Sequence, residues 1–314
     1  MQRNRGDTTP FVSWHKVLKK VRISSALYIL FAPVFIYYVM FRFIPLGGIV
    51  IAFKDYNLFY GISKSLYVGI KHFSDFFSSI YFTRLLRNTL AINALNLLIC
   101  FPAPIILALC LNEVKCTFFK RSVQTISYLP HFISTVIIVS IVTLFLSPET
   151  GLINRILNAL GHESILFLSE SKYFWGIFTI MTLWQTIGWN SILYLAALTG
   201  IDPTLYEAAV IDGAGRWRQT LVVTLPSIKP TIVMLFIIQI GKMMDVGYEP
   251  VILLYNPTLY ETADVFGSYV YRRGLAEMNY SYAAAVSLFQ TIFSMILVIS
   301  ANKLCKRFAE SSMW

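Results

Sequence analysis

The chain has 314 residues, 56% of them hydrophobic and only 13% charged, with a mean hydropathy of +0.64. Soluble domains carry roughly 25% charged residues. One soluble core is therefore excluded, and a polytopic membrane protein with spans of ~20 apolar residues is expected. The net charge of +10 reads as loop charge that sets orientation in a bilayer, not as a nucleic-acid footprint.

Residues 1–22 are polar and basic. The apolar run behind them is longer than a signal h-region and has no small-x-small cleavage site close after it, so it is expected to be a retained span. Six segments qualify as spans, at about 24–44, 88–111, 123–146, 173–199, 228–246 and 281–303. Helices are the expected form, because lipid offers no partner to open backbone groups and no alternating barrel pattern occurs. The fold class is all-α, a polytopic membrane protein of six transmembrane helices. Pro33, Pro102 and Pro104 fall inside spans and predict kinks.

Six spans put both termini on one side. That side would hold fifteen of the 26 basic residues, among them Lys19, Lys20, Lys120, Arg216, Arg218 and Arg307. The excess of Lys and Arg makes it cytoplasmic. The other side carries three longer connections, about 45–86, 147–172 and 247–280, rich in aromatic and polar residues. Such belts suit a membrane interface and also a docking surface for an external protein. Cys100, Cys110, Cys116 and Cys305 show no metal or disulfide spacing, and His15, His72, His131 and His162 show no paired ligand spacing. No metal site and no cofactor are expected in this chain.

Between the fourth and fifth spans lies a small-residue loop, about 202–226. Asp202-Pro203 predicts a capped helix start. Glu207-Ala208-Ala209 follows, with Asp212, Gly213 and Ala214 behind it. The alanines keep one surface low, and Gly213 and Gly215 end or turn a helix. A second short helix, Trp217 to Val223, and a restart at Leu225-Pro226 complete a helix-turn-helix. Gly213 stands six residues after Glu207, Val223 ten further on, and Pro226 thirteen after Gly213.

This pattern resembles the EAA loop of ATP-binding-cassette importer permeases. The resemblance extends through Arg87-Asn88-Thr89-Leu90, Phe101-Pro102-Ala103-Pro104, Leu129-Pro130-His131-Phe132 and Ser147-Pro148-Glu149-Thr150-Gly151. Ile44-Pro45-Leu46-Gly47-Gly48 and Lys54-Asp55-Tyr56-Asn57 are similar to the subgroup serving complex oligosaccharides of the aldouronate, rhamnogalacturonan and alginate type. The resemblance implies a MalF-like type I importer fold in a bacterial plasma membrane. It implies a basic tail at 1–22, a first span and outer loop at 23–86, a permease core at 87–303 and a tail at 304–314. The implied partners are a second homologous permease, two ATPase domains binding ATP and magnesium, and an external solute-binding protein that delivers an oligosaccharide. Glu207, Ala208, Ala209, Asp212, Gly213, Ala214, Leu225 and Pro226 would then be the ATPase-coupling residues. The chain has no phosphate-binding Gly-x-x-x-x-Gly-Lys-Ser/Thr loop, since Gly241-Lys242 lacks both the upstream glycine and the hydroxyl. The permease would be no enzyme itself.

Polar groups at membrane depth are costly and face a cavity or another helix. Trp184, Gln185, Trp189, Asn190 and Gln239 are the candidates for a substrate pathway, with Asn93, Asn96, Ser191, Tyr194 and Gln290 as further polar positions. Amides and aromatic faces suit sugars. The competing reading for each is helix–helix hydrogen bonding. Lys242, Asp245 and Glu249 read as a gate or as interfacial charges, and Arg272-Arg273 as an anion-attracting or a merely solvated pair. An ion-coupled secondary transporter is the alternative class, and it would need a mid-span charge relay that is not evident. On the coupling reading, Ala209→Arg abolishes uptake and solute-coupled ATP hydrolysis while the protein still reaches the membrane; normal coupled turnover in that variant would contradict it.

Overall fold

A computed structural model describes residues 24–309. The expected N-terminal tail lies outside the described residues. Contacts divide the chain into two compact units, one ending at Ile51 and one beginning at Ala52.

The first unit is a helical rod. Helix α1 (Ser25–Tyr38) passes into a π-turn (Val39–Phe43) and a further helical turn (Ile44–Leu46). None of its residues is buried. A helix apolar all round belongs in lipid. Phe31 and Phe35, one turn apart, stand 6.1 Å apart between ring centres, and Tyr37 and Phe41 stand 5.2 Å apart.

Prolines shape the helices differently from the expected kinks. Helix α1 runs unbroken through Pro33. Wider π-turns occur instead just before Pro45, Pro102 and Pro226, at Val39–Phe43, Asn96–Cys100 and Thr220–Thr224. Proline cannot donate to the carbonyl four residues back and its ring collides with it. In each case that residue (Phe41, Leu98 or Val222) lies within the π-turn, whose wider winding relieves the clash.

The second unit opens with a short antiparallel ribbon, β1 (Lys54–Asp55) on β2 (Leu66–Tyr67), with Lys54 opposite Tyr67. Helix α2 (Lys71–Phe77) inserts Phe76, fully buried, against Phe82, Phe266 and Phe289. Residues 52–86, grouped above with the first span, thus pack with the larger unit. Helix α3 (Ile80–Leu95) and helix α4 (Pro102–Glu113) form one 34-residue stretch through the π-turn.

Helix α5 (Thr117–Tyr128), a 3-10 turn (Leu129–Phe132) and helix α6 (Thr135–Leu146) follow. The single span expected at 123–146 is in fact broken, with a bend of 102°. Pro130 tightens the end of one helix. Ser134 then starts the next by accepting from the Ile137 N–H at 3.5 Å, a helix-start cap. Helix α7 (Leu152–Ala159) leads to α8 (Phe174–Thr199), then to α9 (Pro203–Ile211), α10 (Arg216–Gln219) and α11 (Leu225–Gly241). Helices α12 (Tyr248–Leu254), α13 (Tyr260–Ala263) and α14 (Phe266–Tyr271) are short, and α15 (Tyr280–Ala309) is long. The tail expected from 304 continues α15 as far as Ala309.

Among the described residues, four helical stretches are long and apolar enough to cross a membrane, or five if the bent pair is one span. Helix α8 is outside that set although its 26 residues reach ~39 Å. Gln185, Asn190 and its threonines and tryptophans dilute its hydropathy.

Three apolar clusters hold the second unit. One joins Ile92, Ile138, Phe174, Phe178 and Val251. A second joins Phe76, Leu85, Met244, Phe266 and Val286. A third joins Ala108, Tyr194, Leu198 and Ile228. Amide side chains tie the chain between them. Asn88 Nδ2 donates to Glu261 O at 2.9 Å and Asp264 O at 3.0 Å. Asn93 Nδ2 donates to Met243 O at 3.0 Å, and Gln290 Nε2 to Met244 O at 2.6 Å. These bonds fix the strand of chain that leaves α11. Ser191, fully buried, donates to Gly188 O at 2.6 Å. Asn93, Ser191 and Gln290 are thus engaged in packing contacts.

Gly188 lets α8 approach α5 closely: a Cβ there would lie 2.1 Å from Ser127 O. Gly188→Val should overpack this crossing, at the upper end of the ~1–3 kcal/mol such insertions cost, because backbone cannot swing aside. Thermal unfolding of the detergent-solubilised protein measures it; an unchanged midpoint would refute the crossing.

Candidate functional site

The loop at 202–226 forms as a helix-turn-helix with one change. Asp202 caps α9, its Oδ1 accepting from Thr204 N–H at 2.9 Å. That bond holds the exposed carboxyl below its usual range. Gly213 takes φ +76°, a left-handed geometry that glycine adopts freely. Ala214 N–H returns to Ala209 O at 2.8 Å, closing α9. Gln219 Nε2 donates to Ala214 O at 2.7 Å, and Tyr206 Oη meets Thr224 Oγ1 at 2.9 Å. The turn and α9 are thereby pinned to the helical stretch behind them.

The second short helix expected at 217–223 is no separate element. Arg216–Gly241 is a single 26-residue helical stretch, and Leu225-Pro226 lies within it. Pro226 sits early in α11, where the π-turn absorbs its missing donor. Glu207, Ala208 and Asp212 are exposed, Ala209 is half-buried and Ala214 is buried against the turn. Large apolar groups stand out beside them: Ile211 is 86% exposed and Trp217 76%. Arg216 pairs with Glu113 at 3.2 Å, joining this loop to the end of α4. The exposed Ile211 and Trp217 were not singled out in the sequence, though an apolar residue on a polar turn is a readable signal.

The pathway candidates separate. A cavity of about 520 Å³ lies among α4, α8 and α11. Trp189, Asn190 and Gln239 line it, together with Asn96 and Tyr194. Trp184 lines a different, apolar groove beside Ile141 and Phe145, and Gln185 lines neither. Helical geometry accounts for the split. Each residue advances about 100°, so 182, 186, 189, 190 and 193 share one stripe, and 185 sits roughly a quarter-turn off it. Position 184 points to the opposite side.

Two cavity residues were overlooked as pathway groups. His131, in the 3-10 turn at the bend, lies flat on Trp189 with ring centres 4.4 Å apart and planes within 7°. Its Nδ1 is buried and has no hydrogen-bond partner among the described residues. Lys242, at the C-terminal end of α11, also lines the cavity. The sequence placed it at a span end, and the packing of α11 on α8 makes this exposed residue one of the cavity's lining groups. No ion pair links Lys242, Asp245 and Glu249 among the described residues; Asp245 instead accepts from Gly247 N–H at 2.9 Å.

Arg272 and Arg273 are not simply solvated. Arg272 Nη2 lies 2.6 Å from Asp264 Oδ2, and Asp264 is fully buried. Ser268 Oγ donates to Asp264 Oδ1 at 2.9 Å, and the Tyr260 ring lies 4.7 Å from the guanidinium carbon. Burial works against the guanidinium charge, yet the hydrogen bond and charge of Asp264 push Arg272 above its usual range. Burial also pushes the neighbouring Tyr255 phenol up to about 12. Arg273 pairs with Glu277. These contacts clamp the connection between α13 and α15.

Residues 101–309 match the family model for the binding-protein-dependent transport system inner membrane component. The chain is 46% identical over 299 residues to the polygalacturonan/rhamnogalacturonan transport system permease protein YteP of Bacillus subtilis (strain 168). That match covers 95% of this chain and 93% of the relative. Identity to protein LplB of the same organism is 43% over 303 residues, covering 96% and 94%. A crystal structure of a bacterial alginate ABC transporter, in complex with alginate pentasaccharide-bound periplasmic protein, contains a chain of the same fold. Its TM-score is 0.87 at 40% identity, with 94% of this chain and 99% of that one covered. The chain belongs to the family of binding-protein-dependent transport system inner membrane components: it is a membrane-bound permease of an ABC importer.

That membership displaces the ion-coupled alternative. The single deeply buried carboxylate in an ion pair among the described residues, Asp264, is committed to Arg272. Asp264→Ala should destabilise the protein by ~3–5 kcal/mol, since it strands a largely buried guanidinium. Unfolding in detergent checks this, and a loss under ~1 kcal/mol would show the pair to be solvated.

Proposed function

We propose that this permease imports oligosaccharides by alternating access, driven by a separate ATPase that grips α9 and the turn after it. The observation that carries the proposal is the exposed apolar pair Ile211 and Trp217 beside the low surface of Glu207-Ala208-Ala209. Exposed aliphatic and aromatic groups rimmed by polar residues mark a partner site. The chain has no phosphate-binding loop of its own to supply the energy.

On this reading the bundle has six spans. Helix α8 is one of them, because a span facing a cavity tolerates amides that a lipid-facing span does not. Both termini and the coupling loop are cytoplasmic, as the Lys and Arg bias requires. Two ATPase domains holding ATP and magnesium, a second homologous permease and an external solute-binding protein complete the machine. Glu207, Asp212 and the alanines meet the ATPase surface, while Gly213, Ala214, Leu225 and Pro226 shape the turn. The sugar passes by Trp189, Asn190 and Gln239. Relatives named for rhamnogalacturonan and alginate transport support an oligosaccharide cargo.

ATP-driven closure of the ATPase pair would draw on α9. Its motion reaches α11 directly, because Gln219 and Thr224 tie the turn to that continuous helix. Ile211→Asp should reduce binding-protein-stimulated ATP hydrolysis by the assembled transporter at least tenfold, while the protein still inserts. Full stimulation in that variant would remove α9 from the coupling path. The Asp202 cap adds a pH dependence. Its folded-state pKa is lowered, so its contribution is present above the ordinary carboxylate range and is lost as pH falls through the depressed value. Binding-protein-stimulated ATP hydrolysis by wild type should therefore keep the cap's support at neutral pH and lose it only in strong acid, whereas Asp202→Ala lacks that support already at neutral pH.

A further inference from the structure

The loop between α1 and α3 is built inside out. Leu58, Phe59, Tyr60, Leu66, Tyr67 and Ile70 stand between 59% and 95% exposed, Phe59 the most. Polar groups of the same loop turn inward instead. Ser65 is buried, donates to Gly61 O at 2.6 Å and accepts from Asn57 N–H at 3.1 Å. His72 is buried, with its Nε2 3.1 Å from Lys54 O. A loop that faces water shows the opposite arrangement, and a dense set of exposed apolar groups marks a partner surface.

The exposed set sits on a fixed frame. Tyr56 N–H donates to the buried Ser281 Oγ at 2.8 Å, and its ring lies 6.1 Å from that of Tyr280. Phe53 lies 5.5 Å from Phe73. The ribbon is thus tied to α2 and to the start of α15. The chain enters it at Lys54, directly behind the apolar helical stretch Ser25–Phe53, and leaves through α2 into the stretch Ile80–Glu113. Both stretches are long and apolar enough to cross a membrane, so a short loop between them stays close to the headgroups. Exposed Ile70, Phe77 and Ile80 continue the apolar side chains along the chain to the second stretch. Lys54, Lys64 and Lys71 outnumber Asp55 over residues 54–72. Lys64 and Lys71 belong to no ion pair among the described residues. Aromatic and aliphatic groups beside unpaired lysines suit the boundary between acyl chains and anionic headgroups.

We propose that residues 57–71 are an interfacial membrane anchor, with Phe59, Tyr60 and Tyr67 seated at the headgroup boundary and Lys64 and Lys71 on lipid phosphates. The leaflet is the one opposite the loop at 202–226, a placement that rests on the importer topology above. An external protein could cover the same apolar groups, but the two flanking stretches and the unpaired lysines favour lipid. The anchor holds the start of α15 at the interface, because Tyr56 grips Ser281 and Tyr280.

The test puts a photoreactive side chain on the loop, as Phe59→p-benzoylphenylalanine and separately Tyr67→p-benzoylphenylalanine. The complete transporter is reconstituted in nanodiscs of phosphatidylethanolamine and phosphatidylglycerol and irradiated with and without the external binding protein. Both positions are exposed, where substitutions leave stability nearly unchanged. Intact-mass measurement of the permease should show phospholipid adducts at both positions and in both conditions. Lys64→Gln combined with Lys71→Gln should lower the ratio of phosphatidylglycerol to phosphatidylethanolamine adducts about fivefold or more, the scale expected for a lysine near an anionic surface. Adducts to the binding protein or the second permease alone, no adduct, or an unchanged lipid ratio overturns the anchor. The importer reading survives each of these wherever the same nanodiscs show binding-protein-stimulated ATP hydrolysis. A chain that yields lipid adducts yet assembles with no ATPase overturns the importer reading and leaves the anchor in place.

Discussion

Backbone carbonyls freed where short helices end inside the packed unit must find donors, and this requirement organises it. An open carbonyl buried away from water costs free energy. The chain meets the demand with buried amides from other helices. Asn93 and Gln290 serve Met243 and Met244, Asn88 serves Glu261 and Asp264, and Trp175 Nε1 serves Thr262 at 2.8 Å. Each bond crosses between elements remote in sequence. The short helices after α11 are thereby fixed on α3, α8 and α15, and the cavity mouth gains a rigid wall.

Helix α8 is the second organising element. It gives up hydropathy for a polar stripe, and that stripe is what the cavity uses. Gly188 brings its other side against Ser127, so the helix is located by backbone contact and not by flexible side chains. The bend after Pro130 then sets His131 on Trp189. A straight span at 123–146 would have carried His131 past that ring. Breaking the span therefore brings the two rings together.

The loop at 202–226 and the cavity are linked through one helix. Arg216–Gly241 begins at the exposed turn, contains the π-turn before Pro226 and ends at Lys242. On the proposed mechanism a displacement at α9 passes through the turn and the Gln219 and Thr224 contacts into this helix, which reaches the cavity.

Composition, charge bias and spacing made the membrane class, the helical elements and the loop at 202–226 legible, because these depend on residue type and on separations along the chain. Asp202 and Gly213 announced their places in the cap and the turn through local geometry alone. Trp189, Asn190 and Gln239 were legible as polar groups at membrane depth, but so were Trp184, Gln185, Asn93 and Gln290, which do not line the cavity. Rotation about a helix axis separates the first two, and contacts across helices claim the others. Likewise the bend after Pro130, the place of Lys242 in the cavity lining and the Asp264–Arg272 clamp join residues through space. Sequence alone determined what kind of chain this is and where its helix-turn-helix loop lies, since local propensity and hydropathy act residue by residue. Only the tertiary structure decided which polar groups meet in one cavity, because that depends on how helices far apart in sequence are rotated and packed.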